Sequence, residues 1–273
     1  MHIINQTVDL AMETLGGLGA QVFSARGVKS CKNEFNVEGG KFSLFRTTLD
    51  SALTLQAIKD HKRGVVSSNS FEETSVRLAC ADCLAAAEAG QPDEAWDMAH
   101  EGGGDFEEGA YAPDMDKLFA RTQEMLDTIT TQYPKVVVES LIVAHTQADS
   151  RYHNSYGVCY TGKTGWYEVD IMFSGHEGDK ASSFNYTSIR TKSLDQPLID
   201  LGSVRQLLED AQNQIHTTPA QGKTEGTVVF TPGCLGGVLY ELVSNYAADG
   251  VLIDGTSQWK DKLGEQVADP ALT

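Results

Sequence analysis

The sequence has no apolar run approaching the ~20 residues that span a bilayer, although 41% of its residues are hydrophobic. Its first residues, Met1-His2-Ile3-Ile4-Asn5-Gln6, lack a basic stretch followed by an apolar one, so no signal peptide is expected. The expected location is the cytoplasm, with no membrane contact. Cationic residues are also scarce: 21 Lys and Arg stand against 38 Asp and Glu, a net charge of -17. Such a surface repels phosphate backbones and lacks the main driving term for direct nucleic-acid binding. Cysteines are few, odd in number and scattered (Cys31, Cys80, Cys83, Cys159, Cys234), which argues against a secreted disulfide framework.

Several familiar site motifs are missing or incomplete. Cys80-Ala81-Asp82-Cys83 is a CxxC without a second pair, and it falls in mid-helix, where residues three apart share a face. Core cysteines are therefore expected there, in place of a zinc or redox site. His100-Glu101 and His176-Glu177 begin like HExxH, but Gly104 and Lys180 occupy the second histidine positions. Gly102-Gly103-Gly104 has no Lys-Ser/Thr ending, and no serine lies in a GxSxG context.

The patterns that are present imply an α+β chain. Val8, Leu10, Ala11, Met12 and Leu15 form a helical stripe ending at Gly16-Gly17. Short alternating segments between 21 and 67, with a Gly39-Gly40 turn, suggest an antiparallel meander. A helix is expected from Ser70, its N-cap, to about 89. Residues 90–113 are rich in glycine and acids and read as a linker. The expected domains are 1–95, a linker at 96–112, and 113–273. The second domain has a helix from Asp114, a run of strands from 136 to 189, a helix over 200–215, a buried strand at 226–230, and a helix over 234–246. Helices are thus expected to pack on antiparallel sheets in two units, without regular βαβ alternation.

The last fifty residues carry the most specific signal. Ser257 and the run Lys262-Leu263-Gly264-Glu265-Gln266-Val267-Ala268 resemble a signature of the TldD/PmbA family of zinc-dependent peptidases and proposed DNA gyrase modulators. Asn154-Ser155-Tyr156-Gly157 resembles an N-S-x-G turn of the same family. The resemblance implies that the family fold continues beyond Thr273, so that its C-terminal part is missing and strand edges are left open. It further implies that an H-E-x-x-x-H zinc helix of the TldD branch falls on Tyr240, Glu241 and Asn245. Only the glutamate, the position that activates water, matches; tyrosine and asparagine are poor zinc ligands. Positions i and i+5 also lie about 140° apart on a regular helix.

This departure resembles the PmbA (TldE) branch. It implies a subunit with no metal or cofactor of its own, partnered by a TldD-type catalytic subunit or by a second copy. Peptides or partly unfolded proteins would be the substrates, and peptide maturation or proteolysis the role. Two alternatives remain open: an active metallopeptidase recruiting His145, His153 or Cys234, and a non-enzymatic regulator that binds a protein such as DNA gyrase.

Overall fold

The computed structural model describes residues 1–219, 222–223 and 225–271. The chain folds as two compact units, Met1–Thr217 and Thr218–Thr273. That division differs from the one expected at 96–112. The supposed linker contributes strand β4 (Gly103–Gly109), which pairs in parallel with β6 (Cys159–Glu177).

The first unit is built on one continuous sheet ordered β3-β2-β1-β5-β6-β4. Its long strands are β1 (Val22–Glu38), β2 (Lys41–Lys59), β5 (Val136–Asn154) and β6; β3 spans Lys62–Ser68. The far edge of β6 is shared. β4 pairs with it from Cys159 to Gly165, β8 (Asn185–Thr191) from Tyr167 to Phe173, and the two-residue β7 (Lys180–Ala181) at its end. The short segments expected from the sequence are therefore pieces of longer strands. β1 and β2 stay paired from Val22↔Ile58 to Glu38↔Lys41, with one register shift between Asn36 and Val37, through a stretch that is polar on both faces. Hydrophobic alternation fades there, but backbone pairing continues.

Two helical layers cover the sheet. Helix α1 (His2–Gly17) and α2 (Glu73–Ala89) pack on β1–β3 around Ile4, Val8, Leu53, Leu55 and Cys83. Helix α3 (Met115–Gln132) and α4 (Val204–Asn213) pack on β5 and β6 around Met125, Leu141, Ile171, Phe173 and Leu208. Ala25 belongs to the first layer and Phe35 and Val37 to the second. All three sit at odd positions of β1, so both layers share one face, at opposite ends of the strand. Missing side chains allow close approaches between sheet and helix. A Cβ on Gly64 would lie 2.3 Å from the Cys83 carbonyl oxygen of α2, and one on Gly175 would lie 2.3 Å from the Ala211 carbonyl oxygen of α4.

Local capping follows the sequence in part. Asp114 caps α3, accepting from the Lys117 N–H at 3.0 Å. The cap of α2 is Glu72 rather than Ser70, whose hydroxyl takes the Glu72 N–H at 3.3 Å. No described helix is long and apolar enough to cross a membrane.

The second unit contains α5 (Pro232–Leu242), a π-helical turn over Val243–Ala247, and α6 (Asp249–Ile253). Residues 226–230 do not form the buried strand expected. No described strand pairs with them, and Val228 and Val229 are 73% and 80% exposed. The β-branched run is suited to a strand, but a strand requires a neighbour to hydrogen-bond.

Candidate functional site

The helix expected to carry the site changes geometry at the residues in question. α5 gives way after Leu242 to the π turn, marked by a bond from the Ala248 N–H to the Val243 carbonyl at 2.9 Å. A turn closed by i→i−5 bonds advances less per residue than a regular one. Tyr240 and Asn245 therefore come closer to a common face than the ~140° of an uninterrupted α-helix. The sequence placed a helix here but carried no signal for the wide turn.

The three side chains are solvent-facing. Tyr240 is 70% exposed, and Glu241 and Asn245 are also exposed. The Asn245 amide donates to the Glu241 carboxylate at 2.9 Å and to the Glu241 backbone carbonyl at 2.8 Å. Cys234 sits at the start of the same helix, its thiol donating to the Thr231 carbonyl at 3.3 Å. Seven residues separate it from Glu241, about 10 Å of helix rise, so the two cannot share a zinc ion with ligand bonds near ~2 Å.

Among the described residues of this unit, Ser257 is the buried polar one, 3% exposed. Its hydroxyl donates to the Tyr246 carbonyl at 2.6 Å and accepts the Trp259 N–H at 2.9 Å. The Tyr246 and Trp259 rings lie 5.1 Å apart. One hydroxyl thus pins the loop to the π turn. Beyond it, Lys262 and Glu265 continue through tight turns, Gly264 takes a φ of +84° that favours glycine, and Leu263 is 90% exposed.

The Asn154-Ser155-Tyr156-Gly157 segment is the turn between β5 and β6. Asn154, 1% exposed, accepts from the N–H groups of Tyr156 at 3.1 Å and Val158 at 3.0 Å, and its amide donates to the Ala99 carbonyl at 2.8 Å. The Ser155 hydroxyl accepts the Phe23 N–H at 3.2 Å, and the Ser155 N–H donates to the Phe23 carbonyl at 2.8 Å. Gly157 turns at φ +87°. The segment thereby ties together the start of β1, the β5–β6 turn and the chain near Ala99. Tyr156 adds a surface cluster that the sequence reading missed. Its hydroxyl donates to Asp97 at 3.0 Å, its ring stacks on His100 at 3.9 Å, and His100 meets the other Asp97 oxygen at 2.8 Å. The Asp97 carboxyl is held below its ordinary range, chiefly by the bond to His100.

The remaining sequence candidates separate. His145 and His153, which an active metallopeptidase would recruit, both lie on β5, and eight residues of strand put them about 26 Å apart. His145 is buried, meets the Ala110 carbonyl at 2.6 Å and lies against Tyr167. Cys80 and Cys83 are buried core thiols, pushed up to about 12 and about 11 by burial. His176 meets the Ser174 hydroxyl at 2.9 Å, and Glu177 binds Lys135 at 2.7 Å and His216 at 2.5 Å. Among the described residues, no three His, Cys, Asp or Glu side chains converge as metal ligands would.

Residues 222–273 match the family model of the PmbA/TldA metallopeptidase C-terminal domain. That C-terminal segment is therefore similar to the TldD/PmbA family. Solved structures carry the same α+β fold. A proposed modulator of DNA gyrase from Bacteroides thetaiotaomicron aligns at a TM-score of 0.75 and 16% identity, covering 97% of this chain and 62% of that one. A second proposed modulator, from Thermotoga maritima, aligns at 0.64 and 13%, covering 98% and 61%. TldE from Thermococcus kodakarensis aligns at 0.59 and 16%, covering 78% and 47%. The chain thus spans about half to three-fifths of the length of these structures. No curated protein matches it in sequence.

The resemblance to the TldD/PmbA family raises the question of zinc, and the residues at the implied position do not fit it. Asn245 offers the donor face of its amide to Glu241, and a zinc ligand must offer an electron pair. Tyr240 presents a phenol in place of an imidazole. No hydrolytic step through zinc can be derived from these side chains.

Proposed function

We propose that the chain is a PmbA/TldE-like subunit of a TldD/PmbA-type metallopeptidase system, located in the cytoplasm and acting in peptide maturation or proteolysis. The observation that carries the reading is the Tyr240–Glu241–Asn245 arrangement. The helix carries the glutamate that the resemblance implies and widens into a π turn just after it, but the flanking positions hold a phenol and an amide, and the amide engages the glutamate. A subunit of this kind contributes peptide-binding surface and assembly contacts while a TldD-type partner supplies the metal chemistry. Peptides and partly unfolded chains are its substrates, and its charge of -17 disfavours direct nucleic-acid contact.

Mixing decides the matter. The purified chain is expected to leave unstructured peptides intact, and to alter cleavage when combined with a TldD-type subunit that it also retains on a column. Stoichiometric zinc together with peptide cleavage by the chain alone would overturn the reading. Two of the similar structures are described as proposed gyrase modulators. Retention of DNA gyrase in place of a TldD-type subunit would favour a regulatory role instead.

A further inference from the structure

Both helical layers lie on one face of the sheet, so the opposite face of β5, β6 and β8 carries none of the described helices of the first unit. Across that face Arg46 (β2), Glu34 (β1), Ala144 (β5), Glu168 (β6) and Arg190 (β8) stand in one register row. The carboxylates lie deep and the guanidinium groups outward. The side chains of Glu34 and Glu168 are 2% and 16% exposed, those of Arg46 and Arg190 56% and 69%. Lys32 bridges the two carboxylates at 3.5 and 3.9 Å. With Lys192, Glu108 and Asp170 at its margins, the strip is neutral on a chain of net charge -17, and it turns cations toward any ligand.

Two hollows flank Arg190 along the strand direction. One, of about 500 Å³, is lined by Trp166, Thr164, Glu108, Thr191 and Lys192 as well as Arg190. The other, of about 190 Å³, is lined by Ile142, Asp170, Met172, Tyr186 and Ser188. Trp166 and Asp170 stand two residues to either side of Glu168 on β6, about 13 Å apart. Side chains i, i+2 and i+4 of an extended chain share one face at the same spacing. Arg190 holds the middle position. It donates to Glu168 at 2.8 Å and lies 5.1 Å from the Trp166 ring, and its five N–H donors leave some for a second carboxylate. The Trp166 indole also donates to Glu168, at 3.0 Å, so one buried carboxylate orients both groups.

We propose that this bare face over β6 and β8 binds extended peptides in which an acidic residue lies between two apolar ones, each two positions away. The acidic side chain meets Arg190, one apolar side chain enters the hollow at Trp166, and the other enters the hollow at Ile142, Met172 and Tyr186. Thr164 and Ser188 offer hydroxyls to the peptide backbone. The inference rests on the reading of the chain as a peptide-binding subunit and gives that subunit its surface and its preference. Binding is measured on the chain alone, so its failure leaves the assembly with a TldD-type partner to be judged by mixing.

The test is fluorescence anisotropy of a labelled peptide, Gly-Phe-Ser-Glu-Ser-Phe-Gly, titrated with the full chain. Its symmetric core makes the binding direction immaterial. Saturable binding is expected, weakened at least tenfold when lysine replaces the peptide's glutamate. Arg190→Glu and the milder Arg190→Gln are both expected to weaken binding at least tenfold with unchanged circular dichroism spectra. Trp166→Ala is expected to weaken it as well. Lys117→Glu makes the same change of charge on α3, on the helix-covered face, and is expected to leave binding within twofold. Three results would overturn the proposal: no saturation up to about 1 mM chain, indifference to both Arg190 variants, or equal loss with Lys117→Glu.

Discussion

The Asn245 side-chain amide lies 2.9 Å from the Glu241 carboxylate and bonds the carbonyl of the same residue, at the point where α5 opens into a π turn. The carboxylate that a zinc peptidase would aim at water is here satisfied by a neighbour one turn along. If the wide turn is a ligand frame that has lost its ligands, restoring them restores affinity. Tyr240→His with Asn245→His is expected to bind zinc at least about tenfold more tightly than the native chain, a gain of ~1.4 kcal/mol or more. Competition against a chromophoric chelator measures it. Equal affinity in the two chains would mean that this helix frames no metal site.

Ser257 holds its loop to the π turn through two hydrogen bonds from one buried hydroxyl. Ser257→Ala removes both and is expected to cost about 1–2 kcal/mol locally. The effect should show as faster amide exchange at Trp259 and altered tryptophan fluorescence, because Trp259 rests against Tyr246. Exchange in β5 and β6 should not change, since the lost bonds lie within residues 246–259.

Asn154 makes three hydrogen bonds from a buried position and joins two segments distant in sequence. Asn154→Ala leaves two N–H groups and a carbonyl without their partner, and is expected to lower stability by about 2–4 kcal/mol in urea unfolding. Asn154→Asp keeps the two acceptor contacts but loses the donor to Ala99, so it should fall between the two. Its clearest sign should be easier proteolysis near residues 97–100.

What could be read from the sequence follows the range of the interactions involved. α1 and α3 were legible because Val8, Ala11 and Leu15, and Leu118, Met125 and Ile129, repeat at helical spacing, and Asp114 announced the second of them. Strand lengths were not. β1 crosses Lys29, Cys31 and Asn33, where neither face is apolar, and only pairing with distant β2 and β5 shows that it continues. The parallel strand β4 was hidden for the same reason, since Gly103–Gly109 is exposed throughout and owes its form to β6. At the site, Glu241, Tyr240 and Asn245 were found by resemblance. The π turn and the Ser257 staple depend on backbone geometry that residue types do not encode.

Glu177 gives the chain an acid-sensitive contact. Its carboxyl is lowered to about 2 from 4.5, first by the hydrogen bond from Lys135 and then by that from His216. A carboxyl depressed in the folded state adds stability above its unfolded pKa and loses that contribution as pH falls through the folded value. The window is therefore about 4.5 down to about 2. The group is solvent-exposed, so salt screens the contribution and its size is modest. Glu177→Gln should be less stable than the native chain at neutral pH, and the difference should shrink as pH falls through that window. Urea midpoints at a series of pH values, in low and high salt, measure it. A difference that stays constant with pH would mean that Lys135 and His216 do not bind the ionised carboxylate.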